Sequence, residues 1–203
     1  MRKISYKGSK LMRVFLLFIV FILSVSANEI RLRPTDWAQP IIGSSLDNFY
    51  KVSEGVYRSE QPDSEDFDDI ASVGIGEVLN LREYHSDSDE AKTHKVKLHR
   101  IEVDTGEMSE AQLREALKII INRKSPILIH CWHGSDRTGA VIASYRVVVE
   151  GWSKEKAIDE LQNGNFGYHA AIYPNIVKLI EGLDVKKMRE SLGLMSANKE
   201  QSR

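Results

Sequence analysis

Cys131 is the only cysteine in the chain, and five residues separate it from Arg137 in the stretch HCWHGSDRTG. A thiolate sulfur is a nucleophile. A guanidinium is a planar fork that grips two oxygens of one phosphate or carboxylate. The flanking residues say how the two would be held. PILIH, residues 126–130, is a short apolar run that suits a buried strand. TGAVIASYRVVV, residues 138–149, is nearly all apolar and suits a central buried helix, with Gly151 as its stop. Residues 131–137 then form a tight loop from a strand into a helix N-terminus. Such a loop aims free backbone N–H groups and the positive end of a helix dipole at one point. A phosphate fits there, cradled by Trp132, His133, Gly134, Ser135, Asp136 and Arg137, and the same field favours a thiolate at Cys131. Gly134 allows a backbone conformation that other residues resist. The competing reading of Cys131 is a small buried hydrophobe, which its neighbours argue against.

HCWHGSDRTG resembles the His-Cys, five residues, Arg-Ser/Thr signature of the protein tyrosine phosphatase superfamily, with Cys131, Gly134, Arg137 and Thr138 on its positions. VYRSEQP (residues 56–62), EVLNLRE (77–83) and YRVVVEGWSKEKAIDELQNGNFG (145–167) are similar to compact bacterial dual-specificity phosphatases exported to the periplasm. The likeness covers residues 49–183. VYRSEQP also looks like fungal-type phosphatases that act on inositol pyrophosphates. The Trp-Pro-Asp acid loop of the large tyrosine phosphatases is absent.

The resemblance implies a mechanism without metal or cofactor. Cys131 forms a phosphocysteine, while Arg137 and the loop N–H groups hold the phosphoryl charge. An aspartate on an upstream loop protonates the leaving group. Asp104 is the candidate, just after a strand and 27 residues before Cys131; Glu102 and Glu107 are the alternatives. Thr138 is expected to hydrogen-bond the sulfur. His130 either orients the loop or is a satisfied core histidine, and Trp132 either lines the pocket mouth or packs. The histidines at 85, 94, 99, 133 and 169 show no ligand spacing and read as surface positions.

The expected substrate is a phosphorylated protein. His133, Ser135 and Asp136 occupy the variable loop positions without a lysine, and the acidic one should repel a heavily phosphorylated molecule. That favours phosphotyrosine, with phosphoserine and phosphothreonine open to a shallow pocket. The alternative is a phosphoinositide or inositol-phosphate phosphatase. An inactive phosphate-binding module and a sulfurtransferase are remoter readings.

Charge separates the N-terminus from the rest. Residues 1–27 hold Arg2, Lys3, Lys7, Lys10 and Arg13 and no acid, so without them the net charge is −6 rather than −1. An acidic domain is a poor nucleic-acid binder. The basic stretch, the apolar run VFLLFIVFIL (residues 14–23) and SVSAN have the layout of a secretory signal peptide. Cleavage after Ala27 or retention as an anchor both stay open, as do starts at Met1 and Met12. The expectation is a periplasmic or secreted protein that meets the membrane only through that segment.

The elements that must position the site follow. Two short strands flank a turn at residues 53–55. A helix over 63–73 ends at Gly74, and strands run over 75–81 and 96–103. The polar stretch 85–95 reads as a surface loop or loose helix. Ser109 and Gln112 form a capping box for a helix facing inward with Leu113, Leu117, Ile120 and Ile121. Two more helices follow Ser153 and Pro174. The result is one α/β domain: a central mixed sheet flanked by helices on both faces. Residues 28–48 read as an N-terminal extension, 49–195 as the domain, and 196–203 as a polar tail.

Overall fold

The computed structural model describes residues 33–195. The expected signal segment and polar tail lie outside the described residues. The compact unit begins at Thr35.

Its framework is a six-stranded sheet: β1 (Gln39–Pro40), β2 (Tyr50–Ser53), β3 (Val56–Ser59), β4 (Glu77–Asn80), β5 (Lys97–Arg100) and β6 (Ile127–His130). The spatial order is β1-β2-β3-β6-β4-β5. The first three strands are antiparallel, whereas β3, β6, β4 and β5 run parallel, so the sheet is mixed as expected. The described residues also form the helices α1 (Asp66–Ser72), α2 (Glu110–Asn122), α3 (Asp136–Val148), α4 (Lys154–Asn163), α5 (Pro174–Gly182) and α6 (Val185–Ser191).

The innermost strand, β6, is apolar and fully buried because the sheet is covered on both faces. On one face α3 lies in the main core, where Ala140, Val141, Ile142 and Val148 meet Leu113 and Leu117 of α2, Leu161 of α4, and Ile176 of α5. On the other face, Phe67 and Ile70 of α1 pack on Tyr57, Val78 and Leu128. The capping box of α2 forms in both directions: Gln112 N donates to Ser109 Oγ (3.4 Å) and Ser109 N to Gln112 Oε1 (3.0 Å). The buried face of α2 uses Ala116 in place of Ile121, which is only partly buried.

Several expectations change. The helix expected over 63–73 is confined to Asp66–Ser72, and the strand expected over 96–103 to Lys97–Arg100. Residues 35–48, expected to precede the domain, belong to it. They supply β1 and the buried Trp37, Ala38 and Leu46, and Ala38 N donates to the buried Glu160 carboxylate at 2.6 Å. Glu160 also pairs with Arg146 at 2.8 Å, which ties this segment to α3 and α4. The helix α6 was not anticipated; it is short and buries Met188.

Parallel pairing fixes where a site can form. Ser59, His130, Asn80 and Arg100, the last residues of β3, β6, β4 and β5, lie in one register. The loops leaving these strands therefore emerge along a single edge, where open α/β sheets place their ligand sites.

Candidate active site

The loop after β6 carries the residues singled out above. Cys131 is buried, 2% exposed, directly beyond the last hydrogen-bonded strand residue. Gly134 has φ +69°, and a Cβ there would meet the Ser59 carbonyl oxygen at 2.3 Å. Only glycine allows both the turn and the approach of β3. α3 begins at Asp136, earlier than Thr138, so Arg137 sits in its first turn. No side chain caps this helix; the Ser135 hydroxyl donates instead to the His133 carbonyl (3.3 Å). The first-turn N–H groups are thus left for an anion.

Arg137 is held on one side only. Its Nη1 donates to the carbonyls of Val103 (3.3 Å) and Leu81 (3.4 Å). Its Nε is buried and has no hydrogen-bond partner among the described residues. The guanidinium is thereby oriented by the β4 and β5 loops, with its Nε edge left to donate.

Asp104 is exposed on the loop after β5, and its Oδ1 accepts from Gly106 N at 2.8 Å. Carbonyl anchors fix the backbone around it. Gln112 Nε2 donates to Glu102 O (2.9 Å), Arg137 to Val103 O, and Asn175 Nδ2 to Thr105 O (2.8 Å). The arginine thus touches the residue that precedes the candidate acid. Glu102 turns to Arg100 (3.3 Å), and Glu107 is exposed further along the loop.

His130 is fully buried and both ring nitrogens are engaged. Nε2 bonds Asp87 Oδ2 at 2.9 Å and Nδ1 bonds the Cys131 carbonyl at 3.1 Å. The Cys131 carbonyl can only accept, so Nδ1 supplies the proton of that bond. Asp87 also accepts from Gln61 Nε2 (3.0 Å) and Asn80 Nδ2 (2.8 Å). Burial alone would raise the Asp87 carboxyl, but hydrogen bonding by His130, the charge on that ring and the Gln61 bond outweigh it and hold the pKa below the usual aspartate value.

Other expectations are corrected. Thr138 is buried and its Oγ1 has no hydrogen-bond partner among the described residues, so the expected bond to sulfur is not formed. Trp132 is 57% exposed, which favours the pocket mouth over core packing. His85, His94 and His99 are not surface histidines. Each is partly buried, with its ring set against acids at Glu90, Asp68 and Glu77 respectively. Asp136 is buried, and its carboxylate accepts from the N–H of His169 (2.9 Å) while bonding that residue's Nδ1 (2.9 Å).

Beyond His130 and Thr138, the residues that support the loop were not legible in the sequence. Arg58 of β3 is buried, donates to the Gly134 carbonyl and lies over the Phe166 ring at 3.7 Å. Gln61 N donates to Trp132 O (2.9 Å), and Asn48 Nδ2 to His133 O (2.8 Å). A lone arginine in the apolar strand VYRS is a signal that something polar needs it inside. Asp87 lies in a polar run that offered no such signal.

Residues 45–187 match the model of the tyrosine phosphatase family. The chain is 31% identical over 146 residues to the dual specificity protein phosphatase TpbA of Pseudomonas aeruginosa, covering 70% of this chain and 65% of that protein. It is 30% identical over 125 residues to the inositol diphosphatase DSP2 of Oryza sativa, covering 57% and 61%. The matches thus span just under two thirds of these curated relatives' own length. The crystal structure of P. aeruginosa TpbA in complex with pTyr superposes with a TM-score of 0.72 at 27% identity, covering 79% of this chain and 98% of that one.

Proposed function

The chain belongs to the tyrosine phosphatase family, and on that premise we propose that it is a cysteine-dependent phosphatase that hydrolyses phosphotyrosine in proteins, with phosphoserine and phosphothreonine as further substrates. The observation that carries this reading is the arrangement around Arg137. One guanidinium nitrogen is fixed by Val103 O beside Asp104, another is buried and unpartnered, and an uncapped helix begins at the same loop.

The Cys131 sulfur attacks phosphorus while Asp104 gives its proton to the departing oxygen. Arg137 and the N–H groups of the loop hold the negative oxygens of the phosphoryl group. Asp104, now ionised, takes a proton from the water that cleaves the phosphocysteine and releases phosphate. His130, locked by Asp87, keeps the Cys131 carbonyl turned away from the pocket, so that N–H groups line it.

The likeness to TpbA bound to pTyr and the absence of lysine at residues 132–136 support phosphotyrosine. One observation favours a second reading, an inositol-phosphate or phosphoinositide phosphatase. His169 occupies the Asp136 carboxylate, which offsets the repulsion expected of that acid. The relatives named inositol diphosphatases agree with it. Export to the periplasm or the medium is part of the proposal, supported by the N-terminal sequence and checked by the mass of the mature chain.

The test is a substrate panel on the purified protein: phosphotyrosine, phosphoserine and phosphothreonine peptides beside inositol phosphates and phosphoinositides. The highest kcat/KM on phosphotyrosine peptides is expected. Turnover of inositol phosphates alone would overturn the reading, and no turnover of p-nitrophenyl phosphate would mark an inactive binding module.

A further inference from the structure

The groups assigned so far account for one phosphoryl group and leave Arg82 unused. Arg82 follows Leu81, whose carbonyl receives Arg137 Nη1. Its own guanidinium lies over the Trp132 ring, 4.2 Å from the centroid. It is bracketed, therefore, by the residue after the nucleophile and by an anchor of the gripping arginine.

This position is fixed and electrostatically unfavourable on its own. Arg82 N donates to Asn80 Oδ1 (2.7 Å), Arg100 Nε donates to Arg82 O (3.2 Å), and Arg100 Nη2 donates to Glu83 O. The side chain is partly buried, yet its hydrogen-bond partner is the neutral Gln61 Oε1 (3.2 Å). Among the described residues no carboxylate pairs with it. Burial, then the charge of nearby Arg137, holds its pKa below the ordinary arginine value. Asp87, Cys131 and Glu90 offset this in part from a distance, but none pairs with Arg82 directly. Two guanidiniums drawn toward one loop, one of them without a paired carboxylate among the described residues, are arranged for an anion that comes from outside. Packing on Trp132 alone would not require this, since a cation–π contact also forms at exposed positions.

We propose that Arg82, backed by Trp132, is a second anion-recognition point at the pocket mouth, and that it reads the carboxylate of an Asp or Glu flanking the phosphotyrosine. The inference rests on the phosphotyrosine reading above. A single planar fork suits a single carboxylate. The 57% exposed Trp132 offers apolar surface to the adjoining peptide. A molecule with several phosphates would call for more cations than the loop supplies, because residues 132–136 hold no lysine or arginine.

The experiment compares two phosphotyrosine peptides, one flanked by Glu and Asp and one by Gln and Asn, on the full-length protein and on Arg82→Gln and Arg82→Lys. The wild type should prefer the acidic peptide by about tenfold in kcat/KM, the worth of one charge-assisted contact. Arg82→Gln should bring that ratio close to one, and Arg82→Lys should keep part of it. The ratio is measured within each variant, so a smaller folded fraction does not disturb it. Raising salt should lower the wild-type ratio as well, a check that needs no variant. A wild-type ratio near one, or an unchanged ratio in Arg82→Gln, overturns the inference and leaves the phosphatase reading intact. Failure of the wild type on both peptides, with turnover of an inositol polyphosphate, overturns the phosphotyrosine reading itself.

Discussion

Arg137 Nη1 donates to the carbonyl oxygen of Val103 at 3.3 Å, so the arginine of the phosphate loop holds the residue next to Asp104. The two groups that the proposed mechanism sets beside Cys131 are thus joined through one backbone carbonyl. Loss of the Arg137 donor should therefore disturb the loop that carries Asp104.

Asp104→Asn should lower kcat/KM on aryl phosphates by about 10²–10⁴, the usual worth of a positioned acid. The Asn side chain can still accept from Gly106 N, so the loop should keep its shape. Steady-state kinetics on p-nitrophenyl phosphate makes the measurement. Wild-type rates in Asp104→Asn with loss in Glu107→Gln would move the acid to Glu107.

Arg137→Lys keeps the charge but loses the fork that serves the Val103 carbonyl and an anion together. A fall in kcat/KM of about 10²-fold or more is expected, since an oriented electrostatic donor is worth about that much. Vanadate affinity, measured by inhibition, should weaken in parallel. Near-normal kinetics would mean that Arg137 is structural.

Gly134→Ala asks for a Cβ at φ +69° where Ser59 O stands 2.3 Å away and Glu60 N 2.8 Å away. Neither is the end of a flexible side chain, so the loop or β3 must shift. A loss of about 2–4 kcal/mol in urea unfolding is expected, together with most of the activity. A change under about 0.5 kcal/mol would show that the loop has other room.

Asp87→Asn keeps the shape of the buried network but removes the charge opposite His130. Breaking a buried pair destabilises by about 3–5 kcal/mol, and retained hydrogen bonds should hold this variant toward the lower figure. The pH dependence has a definite sign. The folded Asp87 pKa lies below its unfolded value, so the stabilisation is complete above about pH 4–5 and fades as pH falls through the folded value. The gap between wild type and Asp87→Asn in urea titrations should therefore be full at neutral pH and shrink in acid. A gap that is constant down to strong acid would remove Asp87 as the charged partner.

The sequence by itself determined the parts that are local. Cys131, Gly134 and Arg137 lie in one strand–loop–helix run, and strand, turn and helix N-terminus are each set by residues within a few positions. The capping box of α2 and the burial of β6 and α3 were legible for the same reason. Tertiary structure alone decided what supports the loop. His130 meets Asp87 across 43 positions, Arg58 reaches Gly134 across 76, and Arg137 reaches Val103 across 34. These partners come together because β3, β4, β5 and β6 run parallel in one register, which brings distant loops to one edge. No period or spacing within any single segment records that register. The polar run holding Asp87 therefore read as surface, as most of it is, but Asp87 itself is buried against His130 beside the Cys131 loop, where an unpaired carboxylate would be too costly to keep.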